Sequence, residues 1–240
     1  MDLTKELYDR IQETAQVQTL KIGSKDYTTQ KVYMVEDPVY KPSTYNVNTL
    51  SGLVSLVKTE IKSIKELPLI VNVCNHREVN VWTTYDNRFK RSWLYSATTD
   101  LPSLERGFVD HETFMVELRS KFIRNDDVNY LLQLLASVVD ENSVKSTDNG
   151  LSQQVQVKQG ITTIGNAEVK PIVSLAPYRT FLEVQQPESE FLVRLKEGGY
   201  IALFEADGGA WKLNAKKNIA DYLREALKGY IVDRKVVVVE

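Results

Sequence analysis

Leu3, Leu7, Ile11 and Ala15 recur every fourth residue, so they line up one apolar stripe and predict an opening helix. We read residues 1–20 as a helical arm and 21–240 as a single domain. Two short strands are expected at "TLKI" and "KVYMV", before a loop in which Pro38 and Pro42 block regular structure. A second helix begins near Asn48, where Leu50, Leu53, Val54, Val57, Ile61 and Ile64 keep the 3.6-residue period. From residue 69 to 95 the period changes. "LIVNVC", "EVNVWTT" and "RFKRSWLY" are rich in β-branched and aromatic residues and are separated by "NHR" and "YDN", which predicts a three-stranded antiparallel meander.

A helical pair follows. The first helix takes Asp110 as N-cap and presents Phe114, Leu118 and Phe122 on one face. The second takes Asp126 or Asp127 as cap and carries Val128, Leu131, Leu132, Leu135, Val138 and Val139. Beyond about residue 143 the pattern is mainly β. Asn149-Gly150 predicts a hairpin, and strands are expected at "EVKPIVSL", "EFLVRLK" and "YIALFEA". The stretch "LFEADGGAWKL" is read as a hairpin about Asp207-Gly208-Gly209, with Trp211 on the returning strand. A last helix uses Ile219, Tyr222, Leu223, Ala226 and Leu227, stops at Gly229, and gives way to the strand "KVVVV". The expected fold class is therefore α+β: antiparallel sheets with a central helical pair, an N-terminal helix, and a C-terminal helix followed by a strand.

The 240 residues, 42% hydrophobic and 26% charged, suffice for a real core. Thirty basic against thirty-two acidic residues leave a formal charge of −2, so any binding to nucleic acid or anionic lipid must be local. The single cysteine, Cys74, excludes an intramolecular disulfide, and the pattern suits a reducing cytoplasm. The polar N-terminus does not resemble a secretory signal, and no apolar run reaches the roughly 20 residues of a membrane span. A soluble, intracellular protein is expected.

Phosphate-binding glycine loops, the G-x-S-x-G nucleophile turn and the H-E-x-x-H zinc motif are all absent from the sequence. Cys74-x-His76 supplies two metal-ligand types, but nothing near them completes a four-ligand site, so we read the pair as structural. No catalytic residue, cofactor or metal is expected. In "RFKRSWLY" a strand would set Arg88 and Lys90 on one face and Phe89, Arg91 and Trp93 on the other. That mixture suits single-stranded nucleic acid, or equally a strand with aromatics inside and cations outside. In "APYRTFLEVQQPESEFLVRL", Arg179 and Arg194 bracket Glu183, Glu188 and Glu190, which predicts acid–arginine pairing within a shaped loop or at a subunit contact. Glu205 continues the apolar row of Ile201 and Leu203. A carboxylate there is at a sheet rim, is paired with a cation, or carries a raised pKa, and we expect an arginine or lysine partner.

Taken together, "FVDHETFMVEL", "TDNGLSQQVQVKQGI", "APYRTFLEVQQPESEFLVRL" and "LFEADGGAWKLNA" resemble the YfdQ-like family of uncharacterised phage and prophage proteins, over about residues 104 to 228. The resemblance implies a tailed-phage or prophage origin and an accessory gene acting in the host bacterial cytoplasm; it transfers no catalytic residues. The expected function is non-enzymatic binding and homo-oligomeric assembly, as a closed ring or shell, with Tyr178, Arg179, Phe181, Glu183, Pro187, Glu205 and Trp211 as interface candidates. The partner is a second copy of the chain, or a host or phage protein. Two alternatives stand beside it: a single-stranded nucleic-acid accessory in recombination or replication using Arg88, Lys90, Arg91 and Trp93, and a counter-defence protein that sequesters a host immune factor or a nucleotide signal.

Overall fold

The computed structural model describes residues 3–15, 17, 19–22, 25–28, 43–63, 67–86, 89–104, 107–137, 147–148, 153–159, 162–196 and 199–240. The chain divides into two compact units, Met1–Lys41 and Pro42–Glu240. The first contains α1 (Leu3–Ala15) and an antiparallel hairpin of β1 (Thr19–Ile22) and β2 (Lys25–Thr28). The boundary expected at residue 20 thus falls inside β1, and the first unit runs on to Lys41, taking in β2, a strand not expected from the sequence. "KVYMV", Pro38 and Pro42 lie outside the described residues.

The second unit opens with β3 (Tyr45–Val47) and α2 (Leu50–Glu60). Thr49 N-caps α2, its side chain accepting from Gly52 N. β4 (Leu69–Asn75), β5 (Glu78–Thr83) and β6 (Trp93–Thr98) form the expected antiparallel meander. The third strand is shorter than the sequence suggested: it starts at Trp93, because Phe89 at φ 57 breaks the extended run before it.

The helical pair is α3 (His111–Lys121) and α4 (Asp126–Ser137). Asp110 caps α3, accepting from Thr113 N at 2.9 Å. The cap of α4 is Asn125, whose Oδ1 accepts from Val128 N at 2.8 Å; the two following aspartates occupy the first turn, where they favour the positive end of the helix dipole. Val138 and Val139 lie outside the described residues.

β7 (Thr147–Asp148), β8 (Gln153–Gln159) and β9 (Thr162–Val169) make an antiparallel sheet. The Asn149-Gly150 turn itself lies outside the described residues. β10 (Ile172–Leu175), β11 (Ser189–Lys196) and β12 (Tyr200–Glu205) make another. α5 (Trp211–Ala226) and the short α6 (Lys228–Val232) precede β13 (Val236–Val239), which joins β4 in parallel. Gly229, expected to end the last helix, instead lies inside α6, and the turn closes one element later with Arg234 at φ 57.

Two hydrophobic cores form among the described residues. The first packs α2 and α5 on one face of the five-stranded sheet β13-β4-β5-β6-β3. Leu50, Leu53 and Val57 meet Leu69, Val71, Val79, Val81 and Ala97, and Ile219 and Leu223 complete the layer. Alternation explains the face: the register pairs Val71 with Val81 and Val81 with Tyr95, so their side chains all point one way. The second core packs α3 and α4 against β10-β11-β12 through Phe114, Leu118, Leu131, Leu135, Val173, Phe191 and Val193. Fully burying each such aliphatic side chain contributes about 1.5–3 kcal/mol.

Candidate functional site

The stretch "LFEADGGAWKL" is a strand, a turn and a helix start, not the hairpin expected from Asp-Gly. β12 ends at Glu205, and α5 begins at Trp211. Asp207 organises the turn: its Oδ1 accepts from Gly209 N at 2.9 Å and its Oδ2 from Trp211 N at 3.2 Å, satisfying donors that the helix leaves open. Gly208 and Gly209, at φ 63 and 83, take the left-handed conformation that such a tight reversal needs. The turn lays the Trp211 ring, 5% exposed, directly over Arg179.

Arg179 is the partner of Glu205, across 3.2 Å from Nη1 to Oε1. Its guanidinium carbon lies 4.0 Å from the Trp211 ring centroid, and its Nη2 donates to Pro187 O at 3.0 Å and to Ser189 Oγ. Burial pulls its pKa down to about 10, against the opposing pull of Glu205 and Asp207, so the group stays charged at neutral pH. A buried cation is tolerated here because a carboxylate, a carbonyl, a hydroxyl and an indole face surround it. Two donors of the cluster, Arg179 Nε and Trp211 Nε1, are buried without an acceptor among the described residues.

The loop carrying Arg179 is held by Gln186. Its Oε1 accepts from Arg179 N at 2.9 Å and Thr180 N at 3.1 Å, and its Nε2 donates to Phe181 O at 2.9 Å. From that frame the loop reaches in several directions. Phe181 is fully buried in the first core, and Pro177 bridges to Phe122 of the second. Glu183 Oε1 accepts from Ser51 N and Oγ at the start of α2, both at 3.0 Å. Thr180 Oγ1 donates to His76 O at 2.7 Å, and Asn218 of α5 donates to Gln185 O at 2.8 Å. The segment is a clasp between the two cores.

His76 closes the cluster from the β4–β5 turn, its ring edge-on to Trp211 with centroids 4.7 Å apart. Burial lowers its pKa, and Arg77, Lys212 and Arg179 lower it further while Glu205 opposes them. Cys74 faces elsewhere, on the outer side of the sheet, where Asn72 and Asn80 donate to its sulfur. Cys74-x-His76 is therefore split between two surroundings. Among the described residues no group of three His, Cys, Asp or Glu side chains is placed to hold a metal ion.

Of the interface candidates, Arg179, Phe181, Pro187 and Trp211 are buried inside the chain and Tyr178 is half-buried. Glu183 and Glu205 bond within it, as described. Glu188 accepts from Asn125 at 3.4 Å. Of the nucleic-acid candidates, Arg88 lies outside the described residues. Lys90 and Arg91 precede β6 in a loop, so the alternating faces expected of a strand do not form. Arg91 lies 3.9 Å over the Tyr85 ring, and Trp93 stacks on Trp82 with centroids 5.5 Å apart. Gln186, Ser189, Thr180 and His76 were not singled out for this cluster. Gln186 and Ser189 flank Pro187 in "QQPES", and Pro177 and Pro187, which interrupt the strand pattern, are the local hints of a shaped loop.

No family model matches the chain, and neither a curated protein nor a solved structure matches it. No helix among the described residues is long and apolar enough to cross a membrane.

Proposed function

We propose that this protein is a non-enzymatic phage or prophage accessory protein that works in the host bacterial cytoplasm by assembling with copies of itself. The observation that supports self-association most directly is β13. It is an edge strand of four valines, paired with β4 on one side and with no strand on its other side among the described residues. Val236 and Val238 face the core with Leu69 and Val71, whereas Val237 and Val239 point outward, 49% and 43% exposed. An apolar edge with open N–H and C=O groups templates a further strand. A second copy adding its own β13 about a twofold axis extends the sheet across two subunits. The clasp around Arg179 suits this role, because it ties both cores into one building block.

Sedimentation velocity over a range of concentrations tests the reading. The expected result is a species larger than the 27.4 kDa monomer. The double substitution Val237→Lys/Val239→Lys should shift it toward monomer without changing the circular dichroism spectrum, because cations at an edge strand oppose pairing. A monomer at every concentration overturns the proposal.

A further inference from the structure

The loop between β5 and β6 presents an aromatic side chain where its backbone favours glycine. Asp86 builds the loop: its backbone N–H donates to Lys90 O at 3.0 Å, its backbone oxygen accepts from Phe89 N at 3.0 Å, and its Oδ1 accepts from Lys90 N at 2.8 Å. This closure places Phe89 at φ 57, in the left-handed region that L side chains avoid. The ring recovers little by packing, since Phe89 is 84% exposed. A strained position filled by a large exposed aromatic points to a contact outside the fold.

The neighbours define the kind of contact. Tyr85 is 55% exposed with the Arg91 guanidinium carbon 3.9 Å from its ring centroid, which leaves the N–H edge of a flat cation available to an anion. Trp93, 40% exposed, rests one face on Trp82 at an interplanar angle of 15°, and its Nε1 is occupied by Tyr95 O at 3.1 Å. Its outward surface therefore offers a π-face with no hydrogen-bond donor to satisfy. Lys90 is exposed on the same loop. Asp86 is half-buried and accepts from Lys90 N, and the described side chains exposed beside it, Tyr85, Phe89, Lys90 and Arg91, are aromatic and cationic.

We propose that Phe89, Arg91 and Trp93 form a contact surface for single-stranded nucleic acid, with bases stacked on Phe89 and Trp93 and phosphates met by Arg91 and Lys90. Stacking is indifferent to base identity, and the cations supply a salt-dependent attraction to the backbone. The inference stands apart from self-association through β13, which lies at the opposite edge of the sheet from β3 and β6.

The test is fluorescence anisotropy of a labelled oligothymidylate titrated with the full chain at low salt, repeated with Phe89→Gly and Arg91→Ala. Expected are binding by the unsubstituted chain that weakens as salt rises, and a loss of roughly ten-fold in affinity for each substitution. Phe89→Gly relieves the backbone, so its melting temperature should be unchanged or higher; this separates lost contact from lost fold. Absence of binding at low salt, undiminished binding by Phe89→Gly, or equal binding to inorganic polyphosphate overturns the proposal. So does a change in association state of Phe89→Gly in sedimentation, which would make the loop a contact between copies of the chain.

Discussion

Arg179 and Glu205 are unequal partners. The arginine side chain is 5% exposed, while the glutamate is 43% exposed and can turn to water. Arg179→Ala removes the donor to Pro187 O and Ser189 Oγ, the cation under Trp211 and the partner of Glu205 together. A loss of about 2–5 kcal/mol in urea unfolding is expected, from the space left beside Trp211 and the buried acceptors left without a donor, since the remaining carboxylate can turn to water. Glu205→Gln keeps a neutral acceptor for Nη1 while Asp207, Pro187 O and Ser189 Oγ remain about the buried cation, and should cost less, about 1–2 kcal/mol. An equal cost for the two substitutions would contradict the geometry. At His76 the sign runs the other way from a histidine that gains a carboxylate. Its folded pKa lies below the ordinary 6.5, so as pH falls the unfolded chain takes up the proton first. Stability drops progressively below about pH 6.5, and the loss is complete beneath the folded value, where both states are protonated. His76→Phe keeps a ring against Trp211, and comparison of urea midpoints at about pH 7.5 and about pH 5.5 should show a smaller drop than in the unsubstituted chain.

At the scale of elements, the turn between β12 and α5 shows how one local signal misleads. Asp-Gly favours a hairpin only if an alternating strand follows, and here Trp211, Ala215, Ile219, Ala220 and Leu223 follow at helical spacing, all buried. The period was present from Trp211 onward, although the sequence reading began the helix at Ile219. The turn glycines carry their own prediction. A Cβ at Gly208 meets nothing within 4 Å, so Gly208→Ala is opposed by the backbone alone at φ 63 and should cost about 1 kcal/mol. Arg234, at φ 57 after α6, is the converse: Lys235 N reaches back to Tyr230 O at 2.8 Å, a helix stop usually built on glycine. Arg234→Gly should raise stability by up to about 1 kcal/mol, as read by thermal denaturation.

For the whole molecule, the self-association expected through β13 depends on which strand ends up at the edge. The sequence "KVVVV" announces a strand but not its neighbour. Its parallel pairing with β4 sets Val237 and Val239 on the outer face, and the sedimentation behaviour of the lysine double substitution tests that placement directly. Periodicity, with turn residues and β-branched content, announced the α+β class, the meander, the helical pair and strands β11 and β12, because burial imposes a 2-residue or 3.6-residue repeat wherever one face of an element meets a core. The single strand expected at "EVKPIVSL" is instead divided between β9 and β10, which lie in different sheets, at Lys170-Pro171. Periodicity also marked Glu205 as a carboxylate in need of a cation, since an acid in an apolar row must be compensated. The identity of that cation came only with the tertiary structure. Arg179 lies 26 residues away in a loop without periodicity, and its place is fixed by Gln186, Phe181 and the two cores it joins. Loop geometry of that kind is set by hydrogen bonds between residues distant in sequence, and these leave no repeat along the chain to be read.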